Sequence, residues 1–197
     1  MLDTLKAKII ASPVWKDRIH RLLIGRGRPR RWVKLLINPW LFRHGKGALV
    51  RNGCILNVSP INNFRIGNNS SLEESCVVDN GVGDVLIGDN TMVRMRNTLI
   101  GPLRIGNHVI IAQNVVFSGL NHSYEDASVP ICKQRINKKQ IVVEDDCWIG
   151  ANCVITAGVH IGTHAVVGAG SIVTKNVAPY TVVAGCPARI IKTIDHT

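Results

Sequence analysis

A six-residue repeat between Val143 and Ala178 constrains the fold of this chain more than any other feature of its sequence. Each block of six begins with an aliphatic residue, and its fifth place holds a small one. The first places are Val143, Ile149, Ile155, Ile161, Val167 and Val173, and the fifth places are Cys147, Cys153, Val159, Ala165, Ser171 and Val177. A helix with 3.6 residues per turn cannot keep such a repeat on one face, and a plain strand alternates with period two. A short strand followed by a turn does repeat every six residues. Three of these units make one coil of about 18 residues in a triangular parallel β-helix.

The repeat extends towards the N-terminus but is interrupted twice. It starts near Phe64, and the segment VDNGVGDVL is three residues too long for one block, so we expect a loop to bulge from the coil there. After Phe117 the phase is lost, and it returns only at Val143, after a gap that is not a whole number of blocks. Solenoids carry insertions on their functional face, and long loops in compact domains usually have a function. We therefore predict an inserted, functional excursion over residues 119–140.

The N-terminal extension, residues 1–52, carries the whole basic excess of the chain. It holds 13 Lys and Arg residues against two acidic ones, whereas residues 53–197, the predicted all-β domain, hold 11 of each sign. Ser12-Pro13 is a helix start signal, and Gly25 should end that helix. A second short helix, with Trp32, Leu35 and Leu36, should stop at Asn38-Pro39.

Two interpretations of this extension remain open. Its apolar face, with Trp15, Ile19, Leu22 and Leu23, can cap the first coil, as the ends of solenoids require. Alternatively, the basic amphipathic segment can lie on an anionic membrane surface. Because it lacks any recognisable DNA- or RNA-binding motif, we expect no nucleic-acid partner.

Charged residues interrupt every apolar run of the chain, so neither a bilayer-spanning segment nor a signal peptide is predicted. The six cysteines form no CxxC pair, and Cys76, Cys147 and Cys153 fall in fifth places, where a small buried hydrophobe is expected. This pattern favours neither a zinc site nor a disulfide framework and fits a reducing compartment. We expect a cytoplasmic protein, either free or peripheral at the inner membrane face.

The repeats and the C-terminal run GAGSIVTKNVAPYTVVAGCPARIIK resemble the hexapeptide-repeat, CoA-dependent O-acetyltransferases. The pattern is that of the maltose, galactoside and nodulation enzymes and the related capsule-sugar and xenobiotic enzymes, and it covers residues 64–194. The resemblance implies a left-handed coil, a homotrimer and acetyl-CoA as co-substrate. It also implies transfer of the acetyl group to a hydroxyl of a sugar or polysaccharide precursor.

The run GLNHSYED places His122 directly after a predicted strand end, where a rigid coil can hold it beside a cleft. In the family that the chain resembles, a histidine at this place is the general base. An acceptor hydroxyl is a poor nucleophile at neutral pH, and a neutral imidazole can take its proton. We therefore predict that His122 is catalytic.

The resemblance also implies how acetyl-CoA is held. Ala169 and Thr174 belong to the cofactor signature, and Ala151 would contribute a backbone contact near the thioester. Lys175 and Arg189 would face the phosphates of CoA, where cations stabilise most.

Two further residues are assigned to the acceptor side by the same resemblance. Trp148 is expected to line the cleft, although a tryptophan at this place can also cover a subunit seam. Asn97 matches, across a gap in the spacing, an asparagine that family members use at the acceptor site.

Three alternatives to sugar O-acetylation stay open. The acceptor can be an amino sugar or a xenobiotic hydroxyl. A zinc enzyme of the carbonic-anhydrase type would use histidines such as His108, His160 and His164, but they lack that family's spacing, so no metal is expected. The third alternative is a non-catalytic trimeric scaffold. The presence of His122, Lys175 and Arg189 argues against it, because a scaffold would not need all three.

Overall fold

The structure is a computed structural model that describes residues 12–25 and 28–195. The predicted contact of the Trp15 side chain lies outside the described residues, as do residues 1–11, 26–27 and 196–197.

The chain forms a short N-terminal helical segment, a solenoid of short strands and one excursion. The N-terminal segment contains helix α1 (Pro13–Leu23), strands β1 (Ile24–Gly25) and β2 (Arg28–Pro29), a π-helical turn (Val33–Ile37) and helix α2 (Asn38–Leu41). The strands before the excursion are β3 (Arg43–His44), β4 (Leu49–Val50), β5 (Ile55–Asn57), β6 (Phe64–Ile66), β7 (Ser71–Leu72), β8 (Val77–Asp79), β9 (Val85–Ile87), β10 (Met92–Val93), β11 (Thr98–Ile100), β12 (Leu103–Ile105), β13 (Ile110–Ile111) and β14 (Val116–Ser118). The excursion contains β15 (Leu120–His122), a 3-10 helical turn (Ile131–Lys133) and β16 (Ile136–Lys138). The strands after it are β17 (Ile141–Val143), β18 (Trp148–Ile149), β19 (Val154–Ile155), β20 (His160–Ile161), β21 (Val166–Val167), β22 (Ile172–Val173), β23 (Thr181–Gly185) and β24 (Ala188–Thr193).

Successive strands of the solenoid enter three sheets in turn, which makes the predicted three-sided coil. Sheet I has the order β4-β7-β10-β13-β18-β21-β23-β24, sheet II the order β5-β8-β11-β14-β19-β22, and sheet III the order β3-β6-β9-β12-β17-β20. All pairs within the solenoid are parallel except the last, β23 with β24. The predicted β-helix is therefore confirmed.

The strand register measures the length of each coil directly. Val154 pairs with Ile172, which lies three blocks of the repeat later, as one complete coil requires. Leu103 pairs with Val85, and these two residues are also three blocks apart. Val85 pairs on its other side with Phe64, and this coil is longer than three blocks by three residues. The three additional residues lie in the loop that follows β8, where the long VDNGVGDVL segment predicts it.

The first-place aliphatics form the core. Ile149, Ile155 and Ile161 are completely buried, and so are most of their counterparts in earlier coils. Cys76, Cys147 and Cys153 are buried free thiols in the narrow interior of the corners, which confirms their interpretation as small hydrophobes. Each buried methylene stabilises the folded state by about 0.8 kcal/mol. These stacked columns are therefore the main stabilising feature of the solenoid.

The corners of the coils depend on backbone hydrogen bonds and on close approach. Asp145 Oδ1 accepts the backbone N–H of Asn107 at 2.9 Å, and Asp89 Oδ1 accepts that of Asn68 at 2.8 Å. These hydrogen bonds lower the pKa of both carboxyl groups. Gly88 is required at one corner because a Cβ there would lie 2.5 Å from the carbonyl oxygen of Gly106.

The boundary predicted at residue 52 is wrong, because the solenoid begins within the extension. Arg43 pairs in parallel with Arg65, and Leu49 pairs with Ser71, so residues 43–52 belong to the first coil. The hexapeptide pattern is absent there, and only pairing with the next coil defines these strands. The π-helical turn Val33–Ile37 ends directly before Asn38-Pro39, as predicted, but a further helix, α2, begins there. Pro39 lies in the first turn of α2, where its missing N–H has no intrahelical partner to lose.

The N-terminal segment contacts the first coils through one face and leaves apolar side chains exposed on another. Leu23 and Val33 are buried, and the Asn38 Nδ2 group donates to the carbonyl oxygen of Val58 at 3.0 Å. Four other apolar residues are 40% to 73% exposed: Leu22, Trp32, Leu35 and Leu36. The predicted apolar face is thus divided, since Leu23 is buried and its neighbour Leu22 is not.

Candidate active site

The excursion leaves the solenoid as an antiparallel hairpin that carries His122. His122 of β15 lies opposite Ile136 of β16. The backbone N–H of Gly119 donates to the carbonyl oxygen of Ile100, and the N–H of Lys139 donates to that of Gly119, each at 3.0 Å. The hairpin base is therefore fixed to the coil, and the position of His122 follows from it.

The side chain of His122 is exposed, and neither ring nitrogen has a hydrogen-bond partner within residues 12–25 and 28–195. Two other histidines are engaged. His160 Nε2 lies 2.7 Å from Glu144 Oε1, and His164 Nδ1 lies 2.5 Å from Asp146 Oδ2. An imidazole without a protein partner has a ring nitrogen available to accept a proton from a bound hydroxyl.

A cavity of about 320 Å³ opens at the base of this hairpin. Leu120 lines it, and His122 is two residues further along the same strand, so both side chains project from one face of β15. Asn57, Ser59 and Asp79 supply its polar wall. The sequence pattern does not single out Asn57, because the repeat is irregular before Phe64.

A larger cavity, of about 630 Å³, lies over sheet III. Arg65 and Arg104 line it together with Asp89 and Asp145. None of the predicted site residues belongs to its lining, so we do not assign the acceptor to it.

Asn97 is a corner residue of the solenoid interior. It has no exposed surface, and its amide is occupied by the backbone groups of Arg94, Ala112 and Val115. The amide therefore has no group free for an acceptor, and we remove Asn97 from the candidate site.

Trp148 lies on a different face of the prism from the hairpin. It is 53% exposed on sheet I, between Ile110 and Val166 of the neighbouring strands. The His122 hairpin follows β14, which belongs to sheet II. One copy of the chain does not bring Trp148 and His122 to the same face.

Three of the predicted cofactor residues share the edge between sheets I and II. The carbonyl oxygen of Ala151 accepts the backbone N–H of Gly170 at 2.8 Å, so Ala151 and Ala169 lie on successive coils of that edge. Arg189 pairs with Ala184 in the terminal β23–β24 hairpin, which continues the same stack. Ala169 and Arg189 are exposed, as a binding role requires.

The other two predicted cofactor residues, Thr174 and Lys175, lie at the edge between sheets II and III. They directly follow β22 of sheet II. The excursion directly follows β14 of the same sheet, so it leaves the solenoid at the same edge. Both side chains are exposed. The structure thus divides the cofactor residues into two groups that flank sheet II, one of them on the side of His122.

The histidines considered for zinc do not converge. Within the described part of the chain, no three His, Cys, Asp or Glu residues are close enough to hold a metal ion. Hydrogen bonds from the hydroxyl and the backbone N–H of Thr163, and then from His160, lower the pKa of Glu144. His160 is therefore part of a corner hydrogen-bond network.

No helix among the described residues combines the length and the apolar character needed to cross a membrane.

Comparison with known proteins places the chain in a family. Residues 140–175 match the family model described as the hexapeptide repeat of succinyl-transferase. A galactoside O-acetyltransferase of Lactococcus lactis is 30% identical over 144 residues, which cover 66% of this chain and 67% of the relative. The chain belongs to the hexapeptide-repeat acetyltransferases. Its three-sided coil is the left-handed parallel β-helix of that family.

Two further members of the family resemble the chain. The galactoside O-acetyltransferase of Escherichia coli K12 is 34% identical over 136 residues, which cover 66% of this chain and 64% of the relative. The crystal structure of a maltose O-acetyltransferase from Clostridium difficile 630 superimposes with a TM-score of 0.56 at 26% identity, covering 95% of this chain and 89% of that one. The chain thus spans slightly less than two thirds of the E. coli relative.

Proposed function

We propose that this protein transfers an acetyl group from acetyl-CoA to a hydroxyl of a sugar or polysaccharide precursor, with His122 as general base. The observation that carries the proposal is the position of His122. It lies exposed on a hairpin fixed to the coil, with no protein partner in the described chain and beside a cavity with a polar wall. Relatives named galactoside and maltose O-acetyltransferases support the sugar acceptor.

The proposed chemistry needs one proton transfer in each direction. A neutral His122 takes the proton of the acceptor hydroxyl while the oxygen attacks the thioester carbonyl. The tetrahedral intermediate then collapses, the C–S bond breaks, and the imidazolium returns the proton to the leaving thiolate. The products are the acetyl ester and free CoA. Backbone N–H groups at the coil edge would stabilise the oxyanion.

The proposed acetyl-CoA site lies along the two edges of sheet II. Ala151 and Ala169 would give the small, close backbone surface along which the pantetheine arm extends, and Thr174 would contact the co-substrate at the other edge. Lys175 and Arg189 are exposed cations suited to its phosphates. Because they lie at different edges of sheet II, each would contact CoA separately.

We further propose a homotrimer in which each active site forms between two subunits. The outward side chains of sheet I include Ile110 and Trp148, 41% and 53% exposed, and those of sheet II include Val116 and Val154. The corresponding positions of sheet III include Arg65, Arg104 and His160. Two apolar faces and one polar face suit a closed assembly with sheet III towards solvent. The proposal also accounts for Trp148, which a neighbouring copy would bring to the His122 cleft.

The N-terminal segment has two roles in this proposal. The buried Leu23 and Val33 would cap the first coils. The exposed Leu35 and Leu36 would contact anionic lipid, to which the basic excess of residues 1–52 would attract the segment. Sedimentation with vesicles that contain phosphatidylserine tests the second role. Binding at low salt that is lost at high salt is expected, and the absence of binding at low salt would leave the segment as a cap alone. Such a protein would be cytoplasmic and peripheral at the inner membrane face.

The decisive experiment is a thiol-release assay with acetyl-CoA across a panel of sugars, glycans, amino sugars and xenobiotic hydroxyls, with acetylated products confirmed by mass spectrometry. The proposal expects ester products with sugar acceptors. Amide products would reassign the acceptor to an amino sugar, and turnover of xenobiotic hydroxyls alone would reassign it to that class. No release above the rate of thioester hydrolysis with any acceptor would indicate a non-catalytic scaffold.

A further inference from the structure

The hairpin of the excursion brings a lysine to the same face as His122. Leu120 of β15 lies opposite Lys138 of β16, and His122 lies opposite Ile136. Directly paired residues point to the same side of a sheet, and so do residues two positions apart along one strand. Lys138 therefore shares the face of the hairpin that carries His122. The same face borders the cavity through Leu120.

Lys138 is the diagonal neighbour of His122 across this hairpin. Diagonal neighbours in an antiparallel pair lie about 7–8 Å apart, which is within reach of long side chains. A lysine carries its ammonium group on a flexible aliphatic stem, so the charge can approach a molecule bound beside the imidazole. An acceptor that offers its hydroxyl to His122 is therefore within reach of a positive charge of the protein.

The ammonium group of Lys138 has no acidic partner. Its side chain is exposed, and no ion pair joins it to a carboxylate anywhere in the part of the chain that the structure describes. The two acidic residues of the excursion are engaged locally. Asp126 Oδ1 accepts the backbone N–H and the hydroxyl of Ser128 at 2.9 and 2.6 Å. Glu125 Oε2 accepts the backbone N–H of Tyr124 at 2.9 Å.

A second cation lies next to another part of the cavity wall. Pro29 of the β1–β2 hairpin is buried and lines the cavity, and the residue after it, Arg30, is exposed. The backbone N–H of Arg30 donates to the carbonyl oxygen of Leu23 at 2.9 Å, which fixes this part of the backbone. The lining itself includes the carboxylate of Asp79, whose Oδ1 accepts the backbone N–H of Gly81 at 2.8 Å. Two separate segments of the chain thus place a basic residue next to the cavity.

We propose that Lys138 is a specificity-determining residue, which selects acceptors with an anionic oxygen group close to the hydroxyl that His122 deprotonates. A carboxylate or a phosphate would accept a charge-assisted hydrogen bond from the ammonium group, and such bonds are roughly twice as strong as neutral ones. A neutral sugar offers no such partner, so the preferred acceptor is an acidic or a phosphorylated sugar. This inference rests on the proposed sugar acetylation and adds the charge of the acceptor to it.

The test compares acceptors that differ mainly in one charged group. Glucose, glucuronate and glucose 1-phosphate, and separately galactose, galacturonate and galactose 1-phosphate, are assayed for thiol release with acetyl-CoA. In at least one series, kcat/KM should be higher for an anionic acceptor than for the neutral sugar by about tenfold or more. The carboxylate and phosphate arms distinguish which anionic group the site accepts. Added salt should reduce the preference, because it screens an exposed charge.

Variants of Lys138 test whether this residue provides the preference. Lys138→Gln removes the charge and keeps a polar side chain. The ratio of kcat/KM between anionic and neutral acceptors should therefore fall by about tenfold, mainly through a higher KM for the anionic acceptor. Lys138→Arg keeps the charge and should keep the preference. The KM for acetyl-CoA should not change in either variant.

Lys139→Gln is the matched control, because it removes the same charge from the neighbouring residue. The side-chain carbons of Lys139 lie against Gly158 of the solenoid, where a Cβ would be 3.2 Å from the Cβ and Cδ atoms of the lysine. The preference for anionic acceptors should stay as in the parent. Both lysines are exposed, so the melting temperature should be the same in the parent, Lys138→Gln and Lys139→Gln.

The outcomes separate the two proposals. An equal kcat/KM for neutral and anionic acceptors in both series, or a preference that survives in Lys138→Gln, would overturn the role of Lys138 and leave acetyl transfer standing. A higher KM for acetyl-CoA with an unchanged preference would overturn it as well and assign Lys138 to the phosphates of CoA. No acceptor-dependent release with any sugar would overturn this inference together with the proposed sugar acceptor.

Discussion

The side-chain oxygen of Asn97 accepts a hydrogen bond from the backbone N–H of Val115 at 2.7 Å, across one coil of the solenoid. Its Nδ2 group donates to the carbonyl oxygens of Arg94 and Ala112 at 2.6 and 2.9 Å. A single buried amide therefore joins two successive coils at the corner between sheets I and II.

Asn97→Ala should destabilise the protein without changing acceptor recognition. The substitution removes the partner of three backbone groups, and each buried group left unpaired costs about 1–3 kcal/mol. We expect the free energy of unfolding to fall by roughly 2–4 kcal/mol, allowing for partial relaxation, while KM for the acceptor stays within twofold. Denaturant titration and steady-state kinetics measure the two quantities. Asn176→Ala, an exposed asparagine that accepts one hydrogen bond from the N–H of His160, should change stability by less than about 1 kcal/mol.

The cysteines should divide into reactive and unreactive groups. Burial raises the pKa of Cys76 and Cys147 to about 11, whereas Cys132 and Cys186 are exposed. Since the thiolate is the nucleophile, iodoacetamide at pH 8.5 should modify Cys132 and Cys186 and spare the two buried thiols until the protein unfolds. Peptide mass spectrometry gives the sites. Rapid modification of Cys147 in the native protein would contradict its burial.

The same pKa shifts predict how stability depends on alkaline pH. The thiols of Cys76 and Cys147 ionise near pH 9 in the unfolded chain and near 11 in the folded one. Their contribution is therefore fully present below about pH 9 and is lost as pH rises towards 11, because only the unfolded state then releases protons. Denaturation midpoints at pH 7.5, 9 and 10.5 measure this loss, and Cys147→Ala should flatten the decline.

Lys175 and Arg189 should contribute independently to acetyl-CoA affinity. They lie at different edges of sheet II, so the effects of removing each should add. We expect Lys175→Ala/Arg189→Ala to raise KM for acetyl-CoA by roughly tenfold or more, since charge-assisted hydrogen bonds are worth about 1.5–3 kcal/mol before solvent screening. Lys192→Ala, an exposed cation on the same strand as Arg189, is the control. An unchanged KM in the double variant would reduce both cations to a solvated surface.

The proposed trimer should depend on the apolar faces of the prism. Ile110→Lys/Val154→Lys introduces charges on the outward rows of sheets I and II, and we expect the native mass to fall from three subunits to one. Leu86→Lys is the matched control and should leave the trimer intact. Leu86 is an aliphatic residue on the outward row of sheet III, between Arg65 and Arg104. Native mass spectrometry distinguishes the cases. A trimer that survives the double variant, or is lost in Leu86→Lys, would place the interface elsewhere.

The regular part of the fold could be predicted from the sequence because each inward side chain recurs at a fixed interval. Ile149, Ile155 and Ile161 are completely buried, as their first places require. The same phase could have excluded Asn97 from the acceptor site. Asn97 is the fifth residue of the block that begins at Val93, so it lies in the interior corner that Cys153 occupies in a later coil.

The contributions of the N-terminal segment could not be predicted in this way. Ile24 and Pro29 of the β1–β2 hairpin line the same cavity as Asn57, which lies well after them in the chain, and no local pattern encodes that arrangement. Similarly, α1 is amphipathic by sequence, but which of its apolar residues meets the coil depends on how the helix docks. Leu23 is buried and Leu22 is not.

The proposed role of His122 as the general base is tested by replacing its side chain. His122 is exposed and its ring has no partner in the described chain, so His122→Ala should leave the melting temperature and CoA binding unchanged. Positioned acid–base catalysis contributes about 10²–10⁴-fold to the rate. His108→Asn, at an exposed corner position with φ of 57° that asparagine also tolerates, is the matched control and should retain parental turnover.

The measurement is the rate of CoA release from acetyl-CoA with the best acceptor found, for the parent and the two variants at saturating substrates. If His122 is the base, turnover should decrease by about 10²–10⁴-fold in His122→Ala and change by no more than twofold in His108→Asn. A turnover of His122→Ala within threefold of the parent would contradict the assignment of His122 as the base.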